Sequence, residues 1–311
     1  MTKTCFSRTS VALAVALLAL LAVPAFGQAD FSGEWAPLFH EDNPERLPGP
    51  ELGDYMGIPI NAAARLRGDS YDADRISIVT QYQCRPHGGD YSMRGLSNMR
   101  IDSIYDPVTQ LLIGIHTRMN FQEQERTIWL DGRPHPPDLA PHTFAGFTTA
   151  TWDGNMLNAY TDHLKESYLR RNGLPRSSKA TFTEHWVRHG NYLTVITAIT
   201  DPAFLTQTLV RSQNWILDPN QRIGRDVCEY GPEVPAPAGT VPAHLPGTNP
   251  FLHEVADWYG LPFEATRGGA ETLYPEYQAK MPQPDTHPAK CERYCDCGNV
   301  GRGCSLFPAK R

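Results

Sequence analysis

TFTEHWVRHGNYLTVITAIT, residues 181–200, is the stretch that decides the fold. It is rich in Thr, Val, Ile, Trp and Tyr, the residue types that fit the pleated, half-buried surface of a β-strand. The triplet His189-Gly190-Asn191 interrupts it, and Gly and Asn tolerate the positive φ angles of a tight hairpin turn. The stretch therefore predicts two antiparallel strands joined by a compact turn.

The same pattern recurs through the middle of the chain, roughly from Met99 to Leu217. Strand-like segments lie at Leu111–Met119 and at 125–132, and Asp-Gly-Asn at 153–155 marks a second tight turn. The chain has 27 Pro and 25 Gly in 311 residues, which leaves little room for long helices. We therefore expect a mainly β fold, an antiparallel meander closed or nearly closed into a barrel, with short peripheral helices.

The chain divides into five parts by composition. Residues 1–29 are typical of an export signal, since Lys3 and Arg8 precede an apolar run from Val11 to Val23 that is too short to span a bilayer. The other parts are a β-rich core domain with one short N-terminal helix (30–230), a Pro/Gly-rich strap (231–250), peripheral helices (251–282) and a Cys-rich tail (283–311). We expect a soluble protein that is periplasmic or secreted and has no membrane contact after the signal is removed.

The charge and the absent motifs exclude several function classes. The formal net charge is −6, and removal of the two basic signal residues leaves the mature chain more acidic. The sequence carries no basic stripe of the kind that neutralises phosphates, which argues against nucleic acid as a partner. It also lacks the G-x-S-x-G, G-x-G-x-x-G and H-E-x-x-H motifs. We therefore predict no cofactor and a small-molecule ligand, and protein partners stay open.

Six cysteines remain after the signal segment, an even number that favours disulfide bonds in an exported protein. They are Cys84, Cys228, Cys291, Cys295, Cys297 and Cys304. Cys84 and Cys228 flank the strand region and the other four lie in the tail, so we predict one long-range bridge and a locally stapled tail. The alternative is metal handling by the tail, because closely spaced thiolates can hold zinc or copper.

GEW at 33–35, in the first strand-like segment, resembles the G-x-W triplet of lipocalins. The resemblance implies a lipocalin-like barrel in which an arginine from a late strand packs over Trp35, and Arg211 is the candidate. Most of the mature chain, including GRPHP at 132–136 and W-D-G at 152–154, also resembles a large group of exported bacterial proteins with GRPHP and W-(D/E)-G motifs. That resemblance implies export and fold, and no particular chemistry.

The densest polar group in the sequence is the DGRPHP stretch at 131–136, which is followed by His142. Its candidate catalytic residues are Asp131, Arg133, His135 and His142. A histidine can act as a general base near neutral pH, and an arginine can hold a carboxylate or an oxyanion. This predicts a cofactor-independent hydrolase, lyase or isomerase. The alternative is a rigid loop in which prolines stiffen the chain and Arg133 pairs with Asp131.

Side chains alternate between the two faces of the first predicted strand in residues 181–200. Phe182, Glu184, Trp186 and Arg188 share one face of the strand, so we expect the two charged side chains to enter the barrel with the two aromatic rings. A buried Glu184 needs a partner, and Arg188 and Arg211 are the candidates. Such a group is either a structural ion pair or the polar end of a ligand cavity.

A binding function follows from the strand pattern and the aromatic content. We expect an exported soluble protein that binds a small, partly apolar molecule in a β-barrel-like cavity. Candidate ligand-binding residues are Trp129, His163, Glu184, Trp186, Arg188 and Arg211, and further candidate cavity walls are Trp35 and Trp215. The polar group of His163, Lys165, Glu166, Arg170, Arg171, Asn172 and Arg176 either binds an anionic ligand or forms a solvated loop.

Overall fold

The structure, a computed structural model, describes residues 28–38, 52–72, 84–94, 97–119, 124–170, 172–224, 229 and 237–282. No helix in these ranges is both long enough and apolar enough to cross a membrane. The Cys-rich tail and almost all of the predicted export signal lie outside them. Cys84 is disulfide-bonded, and the other cysteines lie outside the described residues, so the bridge between Cys84 and Cys228 stays a prediction.

Among the described residues, nine strands close into a barrel. The barrel strands are β1 (Gly33–Leu38), β2 (Met99–Tyr105), β3 (Leu112–Met119), β4 (Gln124–Trp129), β5 (Phe147–Asp153), β6 (Met156–Asp162), β9 (Thr181–His189), β10 (Tyr192–Thr200) and β11 (Leu209–Leu217), and β7 (Ser167–Tyr168) and β8 (Pro175–Arg176) form a separate small sheet. β1 closes the ring because it pairs with both β11 and β2. The predicted mainly β fold with a closed barrel is confirmed.

Both predicted tight turns form two-residue hairpin loops. Gly154-Asn155 joins β5 to β6, and Gly190-Asn191 joins β9 to β10. The two glycines have φ angles of +61° and +64°, in the left-handed region where a side chain is disfavoured. Local turn chemistry thus fixes the register of these two strand pairs, and the register determines which side chains face inward.

One strand pair departs from the predicted antiparallel meander. β4 and β5 run parallel, with Ile128 opposite Thr148. Parallel neighbours need a crossover connection, and residues 130–146 supply it. The prolines of this segment, which include those of the GRPHP motif, keep it out of the sheet because proline cannot donate a ladder hydrogen bond. We call residues 130–146 the crossover segment.

Alternate side chains of the barrel strands point into a common interior. Its apolar half contains the fully buried rings of Trp35, Trp186 and Trp215, packed among methionines and aliphatic side chains. Burial of one large apolar side chain stabilises a fold by about 1.5–3 kcal/mol. Trp129 lies on the outward face of β4, next to the buried Ile128, and does not line this interior.

Two short helices precede the second barrel strand: α1 (Ala62–Asp69) and α2 (Gly89–Ser92). α1 begins after Asn61, whose side chain accepts a hydrogen bond from the backbone N–H of Ala64 at 3.0 Å. A second apolar cluster joins α1 to the β7–β8 sheet and to one end of the barrel. Its buried members are Tyr55, Ile58, Ile60, Ala64, Leu164, Leu169, Leu174, Ala180, Phe182, Ile199 and Leu205.

The described part of the strap, from residue 237 onward, crosses the end of α1. Ala243 forms a β-bridge with Tyr71, and the Asn249 side chain donates to the Asp69 carbonyl at 2.9 Å. The chain then forms α3 (Glu254–Tyr259), α4 (Phe263–Thr266), a 3-10 helix (Ala270–Leu273) and α5 (Pro275–Gln278). An ion pair between Arg267 and Asp69 ties this region back to α1. The strap therefore forms a wall beside the C-terminal end of α1.

Candidate functional site

A His-Asp-His arrangement holds the crossover segment against the outside of the barrel. The Asp162 carboxylate, at the end of β6, accepts hydrogen bonds from His135 Nδ1 at 2.8 Å and His163 Nδ1 at 2.7 Å. His163 Nε2 donates to the Pro137 carbonyl at 3.0 Å. Because both nitrogens of His163 face acceptors, this geometry favours the imidazolium form. The hydrogen bonds to Asp162 and Pro137 accordingly raise the pKa of His163 above its ordinary value.

The other two candidate histidines lie on the same outer face. His135 Nε2 is 2.8 Å from Thr149 Oγ1, so both of its nitrogens have partners. His142 Nδ1 donates to the Leu164 carbonyl at 2.8 Å. The His142 and His163 rings are 5.3 Å apart. The fold thus brings the three histidines together outside the barrel and away from its interior.

Arg133 is engaged within its own loop. Its Nε donates to Asp131 Oδ1 at 2.9 Å, and its guanidinium carbon lies 3.4 Å from the centre of the Trp129 ring. The hydrogen bonds of the pair lower the pKa of the Asp131 carboxyl and raise that of Arg133. These contacts fit the rigid-loop alternative, and the acid–base alternative stays a prediction.

A buried ion pair crosses the barrel interior from β4 to β9. Arg126 donates to both carboxylate oxygens of Glu184 at 2.8 and 3.2 Å, and the two side chains are 6% and 0% exposed. The guanidinium also lies 5.8 Å from the centre of the Trp186 ring. Glu184 and Trp186 therefore lie inside the barrel, and the partner of Glu184 is Arg126 rather than Arg188 or Arg211.

Arg188 and Arg211 occupy two other parts of the barrel. Arg188 lies 5.4 Å from the centre of the Trp35 ring and donates from Nε to the Gly190 carbonyl at 3.0 Å. The arginine packed over Trp35 is thus Arg188 and not Arg211, the candidate from the lipocalin resemblance. The charge of Arg211 instead acts on the buried Asp90 carboxyl.

The polar half of the interior is occupied by α2. Asp90 lies 3.3 Å from Arg176 Nε, and both side chains are fully buried. Burial raises the pKa of the Asp90 carboxyl even though the charges of Arg176 and Arg211 oppose the shift. A remaining space of about 10 Å³ beside Gln124 is about what one water molecule needs. Protein side chains therefore fill this part of the barrel.

A larger cavity lies outside the barrel, between α1, the β7–β8 sheet and the strap. Its volume is about 430 Å³, and we call it the end cleft. Its described walls are formed by Arg67, Ser70, Tyr71, Arg85, Phe144, Glu166, Ser167, Tyr168, Gly173, Pro175, Pro242 and Ala243. The end cleft thus combines segments from four distant parts of the sequence with the end of the crossover segment.

Aromatic rings form one side of the end cleft. The Tyr71 and Tyr168 rings meet edge to face, with centres 5.5 Å apart. Gly173 lies against Tyr71 with a φ of +87°, and a Cβ there would be 2.2 Å from the Tyr71 Cβ, so only glycine allows this approach. Phe144 adds a third ring, with Lys165 Nζ at 5.2 Å from its centre. Burial raises the pKa of Tyr168, which keeps its hydroxyl neutral.

Polar groups form the rest of the lining. Arg67 and Glu166 pair with each other. Arg85 is exposed and makes no hydrogen bond or ion pair with a described residue. Ser167 is only 6% exposed, and its hydroxyl has no hydrogen-bond partner among the described residues. The end cleft therefore has a cation in its described lining and a buried hydroxyl in its wall.

The fold divides the polar group that follows His163. Glu166 lines the end cleft, whereas Arg176 lies inside the barrel against Asp90. Asn172 donates to the Asp54 carbonyl at 2.9 Å. Arg171 lies outside the described residues. Residues that are close in the sequence here therefore lie in different parts of the structure.

Sequence reasoning missed the residues that make the end cleft. Arg67, Tyr71, Arg85 and Phe144 lie in separate helix or loop segments, and each reads as an ordinary residue of its segment. Arg126 had a detectable signal, because it shares the inward parity of β4 with the buried Ile128. The four cleft residues had no such signal in the sequence, since only tertiary structure brings them together.

No protein-family model, curated protein or solved structure matches the sequence. Within the described ranges, no group of three or more His, Cys, Asp or Glu side chains could hold a metal ion. The Cys-rich tail, and with it the metal-handling alternative, lies outside those ranges. The geometry of the chain itself is therefore the basis for a functional assignment.

Proposed function

We propose that this protein is an exported, soluble binding protein for a small, partly apolar molecule, and that the ligand occupies the end cleft. The aromatic lining of the cleft carries the proposal, and the cleft volume of about 430 Å³ lies within the range of about 300–1,000 Å³ that is typical of small-molecule sites. The export part of the proposal rests on the predicted signal at residues 1–29.

The lining favours a ligand with a planar apolar part. Tyr71, Phe144 and Tyr168 surround one space, and aromatic rings pack on planar groups in stacked or edge-to-face contacts. Removal of about 100 Å² of apolar ligand surface from water contributes about 2.5 kcal/mol. Ser167 and Arg67 supply polar groups that can orient the ligand, as small-molecule sites require.

The barrel supports this site rather than containing it. The buried pairs Arg126–Glu184 and Asp90–Arg176 occupy the polar half of the interior, and a ligand would have to displace them. The walls of the end cleft are held by the apolar cluster under α1 and by the bridge between the strap and Tyr71. A preformed wall reduces the conformational entropy lost on binding.

A ligand-observed NMR screen with a fragment library tests the proposal. Phe144→Ala and Tyr168→Ala each remove one wall of the cleft, whereas Tyr192→Ala removes an exposed ring at the start of β10 and is the matched control. We expect fragments that bind the wild type and Tyr192→Ala and bind both cleft variants more weakly. The proposal fails if no fragment binds, or if every hit binds all of these proteins equally.

A further inference from the structure

Among the described residues, one cation in the end cleft has no counter-ion. The described lining contains three charged side chains, Arg67, Arg85 and Glu166. Arg67 and Glu166 neutralise each other through their ion pair. Arg85 is exposed and forms no ion pair or hydrogen bond with a described residue. The described lining therefore carries one positive charge that no described residue compensates.

One charged side chain of each sign lies beside the cleft. Lys165 places its ammonium 5.2 Å from the centre of the Phe144 ring, on one of the aromatic walls. Asp72, which follows Tyr71 in the chain, faces His244 with its carboxylate 3.8 Å from Nε2. Because a histidine is charged only when it is protonated, Asp72 keeps its negative charge when His244 is neutral. Arg85 therefore remains the group of the described lining that can attract an anion.

A buried hydroxyl provides a second, independent indication. Ser167 lines the cleft, is 6% exposed, and has a hydroxyl without a hydrogen-bond partner among the described residues. A buried polar group without a partner costs free energy, and a ligand that accepts its hydrogen bond recovers that cost. Rotation of the side chain toward the cleft would let Ser167 donate to a carboxylate oxygen while Arg85 supplies the charge.

We infer that the end cleft selects a small aromatic carboxylate, with its ring among Tyr71, Phe144 and Tyr168 and its carboxylate bound by Arg85 and Ser167. This inference rests on the proposed function and adds the charge and chemical class of the ligand. A carboxylate carries a single charge, which matches Arg85, the one cation of the described lining that has no counter-ion among the described residues. A phosphate monoester carries up to two charges near neutral pH, and the described lining offers no second cation of this kind.

Isothermal titration calorimetry with matched probes tests the inference. The probes are 2-naphthoate, its neutral analogue 2-naphthamide, and 2-naphthyl phosphate. We expect 2-naphthoate to bind about fivefold more tightly than 2-naphthamide, since a partly exposed charge-assisted pair contributes modestly. Arg85→Gln should remove that preference and leave the affinity for 2-naphthamide unchanged. Lys280→Gln, an exposed cation that does not line the cleft, is the charge-matched control and should behave as wild type.

The outcomes separate the two proposals. Equal binding of 2-naphthoate and 2-naphthamide would overturn the carboxylate assignment and leave the end cleft as a binding site. Tighter binding of 2-naphthyl phosphate than of 2-naphthoate, lost in Arg85→Gln, would overturn the choice of carboxylate. No binding by any probe would count against the proposed function as well. Thermal unfolding of Arg85→Gln should match wild type, because the residue is exposed and unpaired among the described residues.

Discussion

Replacement of Arg126 by methionine would strand a buried carboxylate inside the barrel. Glu184 is 0% exposed and would lose both of its hydrogen bonds to the guanidinium. Removal of one partner of a buried ion pair costs about 3–5 kcal/mol, because the other charge keeps its desolvation penalty. At about 2–4 °C per kcal/mol for a chain of this size, the midpoint of thermal unfolding should fall by roughly 6–20 °C.

Urea unfolding followed by tryptophan fluorescence at neutral pH measures this loss. The double variant Arg126→Met/Glu184→Leu replaces both charges by apolar side chains and should recover most of the stability. Arg222→Met alters an exposed arginine whose hydrogen bonds to described residues go to the backbone carbonyls of Pro219 and Gln221, and it should change stability by less than about 0.5 kcal/mol. The reasoning is refuted if Arg126→Met costs less than about 1 kcal/mol, or if the double variant is as unstable as the single one.

Two further predictions concern the crossover segment and the wall of the end cleft. The folded-state pKa of His163 lies above its unfolded value, so the stability from its bond to Asp162 is fully present below about pH 6.5 and is lost as the pH rises through the folded pKa. Urea unfolding measured across this pH range should show that the wild type loses more stability with rising pH than His163→Gln does. Equal pH dependence of stability in the two proteins would refute the imidazolium form. Gly173→Ala would place a Cβ 2.2 Å from that of Tyr71 at a φ of +87°, so it should lower the free energy of unfolding by more than about 2 kcal/mol. Gly190→Ala, at an open position, should lower it by about 1 kcal/mol. An equal loss for the two variants would refute the close approach of Gly173 to Tyr71.

Local chemistry was sufficient to predict the strands and the two tight turns. In residues 181–200, β-branched and aromatic residues define two strands, and the Gly-Asn turn fixes their register. The alternation of side chains along a strand then places Glu184 and Trp186 in the interior. These features depend on residues that are neighbours in the sequence, which is why they could be predicted from it.

Features that depend on strand order were beyond sequence reasoning. Arg126 meets Glu184 because β4 and β9 face each other across the closed barrel, and no periodicity encodes that arrangement. The parallel pairing of β4 and β5 likewise depends on the path of the crossover segment. The end cleft unites Tyr71, Arg85 and Phe144 only after α1 and the strap have packed. Long-range topology therefore determines the site.

Backbone amide chemical shifts, recorded during a titration with 2-naphthoate, locate the bound ligand most directly. We predict shift changes concentrated at Ser70, Tyr168 and Gly173, which line the end cleft, with the amides of the barrel-lining Thr117 and Glu184 unchanged. Changes concentrated at the barrel-lining amides, with the cleft amides unchanged, would contradict the placement of the ligand outside the barrel.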